Sequence, residues 1–235
     1  MSTDIEITDL GQFSKKFHKT YELFKNNLEN NEEVGASFAV YQGGACLIDL
    51  YGGYRDRDKK NKWDQDTIVN VHSTSKGIVA MIVAKLIDEG NLELNKNVSD
   101  YWPEFSELGK ENIKVKTLLS HQAGLYGWRQ SIDETDFYNW DYVVNLLAKQ
   151  EPYHKPEEKI CYHPKTIGFL VGELIKRVTN KSVGKNLEDL LNHPLKTKCF
   201  IGTPLTYHDN IAELISSESL RQAFSNPQNV DEYLI

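Results

Sequence analysis

Ser73-Thr74-Ser75-Lys76 sets a hydroxyl and an amine three residues apart where an apolar helix begins. On a helix, positions i and i+3 share a face, so the two side chains lie one turn apart. A serine hydroxyl is a poor nucleophile until a neighbour removes its proton, and an amine in a dry site can do that. The run Gly77-Ile78-Val79-Ala80-Met81-Ile82-Val83-Ala84 is apolar all round; Asp88-Glu89 ends the pattern and Gly90-Asn91 stops the helix. That pattern predicts a buried helix and a largely desolvated Lys76. Tyr162 is the second candidate, on the segment Lys159-Ile160-Cys161-Tyr162-His163-Pro164. Pro164 makes the segment a rigid turn. A tyrosine hydroxyl held beside an ammonium is pushed toward phenolate and can act as a base.

The tetrapeptide alone carries little weight, since roughly one Ser-x-x-Lys arises by chance in a chain of this length. The chain holds its own control, Ser182-Val183-Gly184-Lys185, followed by charge alternating with leucine as on an exposed helix. The plain reading of either match is an N-capping serine followed by a lysine reaching to water. For one of 12 tyrosines, the plain reading is a packing residue with its hydroxyl at the surface.

The elements that must position these groups are partly legible. Leu10, Phe13, Phe17, Tyr21, Phe24 and Leu28 recur at helical spacing and predict an amphipathic helix. Ala36–Tyr41 and Ala45–Tyr51 flank Gln42-Gly43-Gly44, which predicts a β-hairpin. After residue 91 the strand signal almost vanishes. Asp141–Lys149 carries Val143, Val144, Leu146 and Leu147 on a helical pattern. The clearest helical stripe is Ile167, Leu170, Val171, Leu174, Ile175 and Val178, and further helices are expected at 184–192 and 211–224. One hairpin has two open edges, which invite pairing with another chain and so self-association.

Composition narrows the function. The chain has 235 residues, 40% of them hydrophobic, enough for a real core. A net charge of −7 and dispersed lysines argue against nucleic-acid binding. The N-terminal residues carry no basic region or apolar core of a secretory signal, and the longest apolar run is too short for a bilayer. Cys46, Cys161 and Cys199 are odd in number and widely spaced, which fits reduced thiols in a cytoplasmic protein. Cys161 and His163 lack a second clustered pair, so they read as a buried thiol and a surface imidazole rather than metal ligands.

Taken in order, the motifs resemble the serine β-lactamase-related hydrolases: class C β-lactamases, penicillin-binding-protein-like peptidases and β-lactamase-fold esterases, with most similarity to the β-lactamase domain-containing proteins. The matching stretches are His72–Gly77, Tyr101-Trp102-Pro103-Glu104-Phe105, Gly109-Lys110, Leu118-Leu119-Ser120-His121-Gln122-Ala123-Gly124-Leu125, Tyr162 to Gly172, Pro194-Leu195 and Ile201-Gly202. The resemblance implies an α+β fold of the β-lactamase/transpeptidase type, no cofactor or metal, and a small ester or amide substrate. By resemblance Ser73 is the nucleophile of an acyl-enzyme, and its N–H is half of the oxyanion hole. Lys76 either accepts the Ser73 proton or holds the hydroxyl deprotonated. Tyr162 works with Lys76 as the base that shuttles the proton. Ser120-His121 is implied to be a structural turn rather than a catalytic pair.

Two departures bear on substrate and completeness. The family's Tyr-x-Asn motif has Pro164 in place of the asparagine, which removes an amide contact to the acyl substituent and favours an ester over a β-lactam. The third motif, Lys-Thr-Gly or a His/Trp-x-Gly equivalent on a later strand, has no counterpart after Tyr162; Gly202-Thr203-Pro204 falls on the Pro-Leu/Ile-Gly segment instead. Together with the strand deficit, this reads as one incomplete domain: about 1–70 a helix and hairpin, about 71–215 the helical region, and 216–235 a truncated end. Two functions follow from the sequence. One is a serine hydrolase built on Ser73, Lys76 and Tyr162; the other is an inactive fragment acting as a binding or assembly module.

Overall fold

A computed structural model describes residues 6–11 and 15–216. They form two compact units, one of residues up to 70 together with those from 204 onward, the other of residues 71–203.

In the first unit the hairpin forms as its Gly-Gly turn dictates. Strands β2 (Gly35–Gln42) and β3 (Ala45–Gly53) pair antiparallel, with an irregular register at Val40/Tyr41. Gly43 and Gly44 have φ of 58° and 79°, the pair of positive angles a two-residue turn needs to follow the strand twist. Strand β1 (Ile7–Asp9) pairs with the other edge of β3, giving a three-stranded sheet of order β1-β3-β2. Ile48 and Leu50 of β3 are fully buried.

This corrects two expectations. The hairpin is not alone, and β1 covers one of its edges. The N-terminal helix is shorter than its periodicity predicts, with α1 spanning His18–Glu29 behind a short helical turn at Lys15–Phe17. The physical reason lies at Asp9. Its Oδ1 accepts from Gly11 N–H at 2.8 Å and Asp49 N–H at 3.1 Å, ending the strand and tying it to β3. Sheet hydrogen bonds here outcompete a helical pattern in which Leu10 sits 56% exposed. Residues 211–216 are likewise not helical: Ile211 forms a parallel bridge with Ile68, and the N–H groups of Ala212 and Glu213 donate to the carbonyls of Ile68 and Arg55; the rest of the expected 211–224 helix lies outside the described residues.

In the second unit the apolar stripes become a core. Helix α2 (Thr74–Asp88), α3 (Val115–Leu119), α4 (Trp140–Lys149), α5 (Thr166–Thr179) and α6 (Val183–Leu187) pack around Trp102, Phe105, Leu125, Leu147 and Leu170. The α5 stripe of Ile167, Leu170, Val171, Leu174 and Ile175 is buried as its spacing requires. Asn139 caps α4 by accepting from Tyr142 N–H, and Asn180 ends α5 in the left-handed conformation. Gly172 lets α5 meet α4 closely; a Cβ there would lie 2.6 Å from Trp140 Cη2. Beside it, the buried Glu173 carboxylate accepts from Trp140 Nε1 and from Arg177 Nε, each at 2.7 Å.

Two lysines differ from simple patterning. Lys110 is fully buried, donating to the carbonyls of Glu107 at 2.6 Å and Gln150 at 2.5 Å. Helix α2, expected to be buried all round, buries only Ile82, Val83 and Leu86, while Gly77, Ala80, Met81 and Ala84 are exposed. One face of α2 meets the core, so Lys76 at its start is partly exposed rather than dry.

Candidate active site

The chain enters α2 through a tight turn. His72 takes φ of 45°, and successive N–H groups of Thr74, Ser75 and Lys76 bond to the carbonyls three residues back. In such a turn the side chains of residues i and i+3 eclipse, closer than on a regular α-helix. Ser75 Oγ donates to the His72 carbonyl at 2.6 Å and braces the turn. The result sets Lys76 Nζ 3.1 Å from Ser73 Oγ. Ser73 makes no side-chain capping bond, so its hydroxyl stays available.

The control behaves differently. Ser182 Oγ accepts from Lys185 N–H as an N-cap, and Lys185 Nζ donates to Glu188 at 2.7 Å. There the plain reading holds.

Tyr162 arrives from the turn before α5. Its hydroxyl lies 2.9 Å from Ser73 Oγ, and Lys76 Nζ stands 5.0 Å from the centre of its ring. Lys76 also donates to the Pro164 carbonyl at 2.9 Å. The three sequence candidates therefore meet, held by one cation. The hydrogen bond with Ser73, then that with Lys76 and its charge, hold the Tyr162 hydroxyl below the usual tyrosine range. Tyr162 is 47% exposed, so the group faces solvent. A hydroxyl both donates and accepts, so the Tyr162–Ser73 contact can carry a proton either way.

Two histidines hold this turn, and one lies deeper than its sequence context predicts. His163, expected at the surface, is fully buried. Its Nε2 accepts from Leu125 N–H at 3.1 Å and its Nδ1 lies 2.6 Å from the Cys161 carbonyl. A carbonyl only accepts, so Nδ1 carries the proton and the ring is neutral. Burial pushes its pKa down to about 4. His121 Nδ1 accepts from His163 N–H at 3.1 Å, and its ring lies 4.9 Å from that of Tyr162. Burial and then the Lys76 charge hold His121 below the usual histidine range. His121 touches the tyrosine but bonds to backbone, in line with a structural turn. Nothing in the tripeptide Tyr-His-Pro signals a buried ring; that follows from the loop at Leu125 folding over it. Among the described residues no cluster of three His, Cys, Asp or Glu side chains is arranged to hold a metal ion, and no helix is long and apolar enough to cross a membrane.

A family model described as beta-lactamase matches residues 22–212. Esterase/beta-lactamase LipL of Mycobacterium tuberculosis (strain ATCC 25618 / H37Rv) is 32% identical over 187 residues, which are 80% of this chain and 43% of that protein. Teichoic acid D-alanine hydrolase of Staphylococcus aureus (strain MRSA252) is 26% identical over 219 residues, 93% of this chain and 52% of that protein. The chain spans about half the length of these curated relatives. Among solved structures, a penicillin-binding protein homologue from Caulobacter crescentus superposes with a TM-score of 0.86 at 33% identity, covering 97% of this chain and 63% of the other. A family VIII carboxylesterase gives 0.83 at 37% identity, covering 89% and 57%.

Proposed function

The chain belongs to the beta-lactamase family, a family of serine hydrolases, and has its α+β, β-lactamase/transpeptidase-like fold; from that premise we propose that it cleaves an ester through an acyl-enzyme on Ser73. The observation that carries this reading is the convergence of Lys76 Nζ and Tyr162 OH on Ser73 Oγ, at 3.1 and 2.9 Å. Tyr162, held toward phenolate by its hydrogen bond with Ser73 and then by Lys76, takes the Ser73 proton as Oγ attacks the substrate carbonyl. The Ser73 N–H, at the open start of α2, faces the oxyanion as charge develops. Collapse of the tetrahedral intermediate expels the alcohol, which takes the proton back from Tyr162. A water molecule, giving its proton to Tyr162, then attacks the acyl group; the second intermediate collapses to the carboxylic acid as its bond to Ser73 Oγ breaks and Oγ takes that proton back from Tyr162.

An ester is favoured over a β-lactam on two grounds. Pro164 stands where Tyr-x-Asn relatives carry an amide, and a family VIII carboxylesterase is among the similar structures. The test is to incubate the protein with a fluorophosphonate probe, locate the adduct by mass spectrometry, and compare a p-nitrophenyl short-chain ester with a chromogenic cephalosporin. An adduct on Ser73 and ester turnover lost in S73A are expected. Modification of another residue, or none, would overturn the hydrolase reading; faster cephalosporin turnover would overturn the ester preference.

A further inference from the structure

We propose that His163 is a positioning residue, which through a two-histidine bridge holds the Tyr162 hydroxyl in register with Ser73 and Lys76; this rests on the acyl-enzyme reading above. The bridge has bonds on both sides of Tyr162. Cys161 N–H donates to the His121 carbonyl at 3.0 Å, and His163 N–H donates to His121 Nδ1 at 3.1 Å. His121 can receive both because its φ of 61° bends the backbone into the left-handed region, a conformation that persists only where its surroundings hold it. The anchor of the bridge is the His163 ring, bonded to Leu125 N–H on one side and to the Cys161 carbonyl on the other. Thr166 Oγ1 closes the circuit by donating to the Leu125 carbonyl at 2.6 Å, so the 121–125 loop and the start of α5 are tied together around the buried imidazole.

Tyr162 itself has no such anchor. It is 47% exposed, and its named polar partners are Ser73 and Lys76, both on another element, with His121 against its ring. Its place is therefore set by its neighbours at 161 and 163. The His163 ring supplies an acceptor and a donor in fixed opposition, which no apolar side chain reproduces. A displacement of about 1 Å at a reacting group can cost about 10²-fold in rate.

The experiment compares wild type, H163F and H163N. Asn at 163 keeps a donor for the Cys161 carbonyl and loses the acceptor for Leu125 N–H, whereas Phe loses both. Labelling tyrosines with ¹³C at Cζ, with Y162F to assign the resonance, gives the Tyr162 titration midpoint whether or not the chain turns over substrate. In both variants that midpoint is expected to rise toward the ordinary value of about 10, and further in H163F. Turnover per fluorophosphonate-reactive Ser73 is expected to fall about 10²-fold in H163F with KM nearly unchanged. A merely structural role would lower the folded fraction and leave the midpoint where it was, and an unchanged midpoint in both variants overturns the inference. Should H163F fail to fold, H163N decides by the same criterion. Wild type without reactivity at Ser73 would sink the hydrolase reading instead, and the resonance would still decide whether His163 positions Tyr162.

Discussion

Ser73 and Ser182 each precede a lysine by three residues, yet their hydroxyls have opposite duties. Ser182 closes a helix end, while Ser73 leaves its helix uncapped and offers Oγ to Lys76 and Tyr162. Lysine to methionine at 76 keeps the stem but removes the cation, and tyrosine to phenylalanine at 162 removes the proposed base. Each is expected to lower ester turnover by about 10²–10⁴-fold in steady-state assays. K76M is also expected to move the acidic limb of the kcat/KM profile to higher pH, since the Lys76 ammonium helps hold Tyr162 below the ordinary range. Pro164 supplies Lys76 with a main-chain oxygen, which any residue at 164 also presents. P164N is therefore expected to keep fluorophosphonate reactivity within a few-fold while changing acyl-group preference across a series of esters. Ser73, Lys76 and Tyr162 stand out in the sequence by residue type and order, and the structure brings Lys76 and Tyr162 within hydrogen-bond distance of Ser73. His163 does not stand out: its burial depends on Leu125, 38 residues away, and no local pattern encodes that contact.

At the level of elements, the α5 stripe was readable because one helix face meets one core, which gives the clean 3.6-residue period. Strand β1 was hidden for the opposite reason. Three residues carry too short a pattern to compete with the helical spacing downstream, and the partner strand β3 determines its state. The exposed apolar face of α2 shows the same limit, since composition marks a helix as apolar without saying which face is covered. The α4–α5 contact was legible as two stripes but not in its polar content, where Glu173 sits between Trp140 and Arg177. R177M keeps the apolar stem and takes away the carboxylate's charged partner. It is expected to cost about 1–3 kcal/mol, read as a fall of several degrees in Tm, with the Ser73 adduct still forming below the transition.

For the molecule as a whole, one buried charge gives stability a pH dependence. Burial lowers the Lys110 pKa from 10.5 to about 8. Between those values the unfolded chain binds more protons than the folded one, so this group's contribution to stability rises with pH through that window and is smallest below it. The neutral amine still has two N–H groups for its two carbonyl partners, so losing the proton breaks neither bond. In urea melts from pH 7.5 to 10.5, the stability of wild type relative to K110M is expected to rise with pH, and a flat difference would refute the assignment. The structure divides after Asn70 and again before Pro204, and the return of 204–216 to the first unit rests on pairings such as Ile68–Ile211 that no local pattern reveals. That return has a consequence for synthesis. Arg57 and Glu213, paired in the first unit, stand 156 residues apart, whereas Ser73, Lys76 and Tyr162 all lie in the uninterrupted run 71–203. At about 5–20 residues per second, the closing segment leaves the ribosome on the order of ten seconds after Asn70. Ser73, Lys76 and Tyr162 are thus all translated before residues 204–216 can pair with the first unit, and the nascent chain passes through a stage in which those three residues are present while Ile68 and Arg57 still lack their partners at 211 and 213.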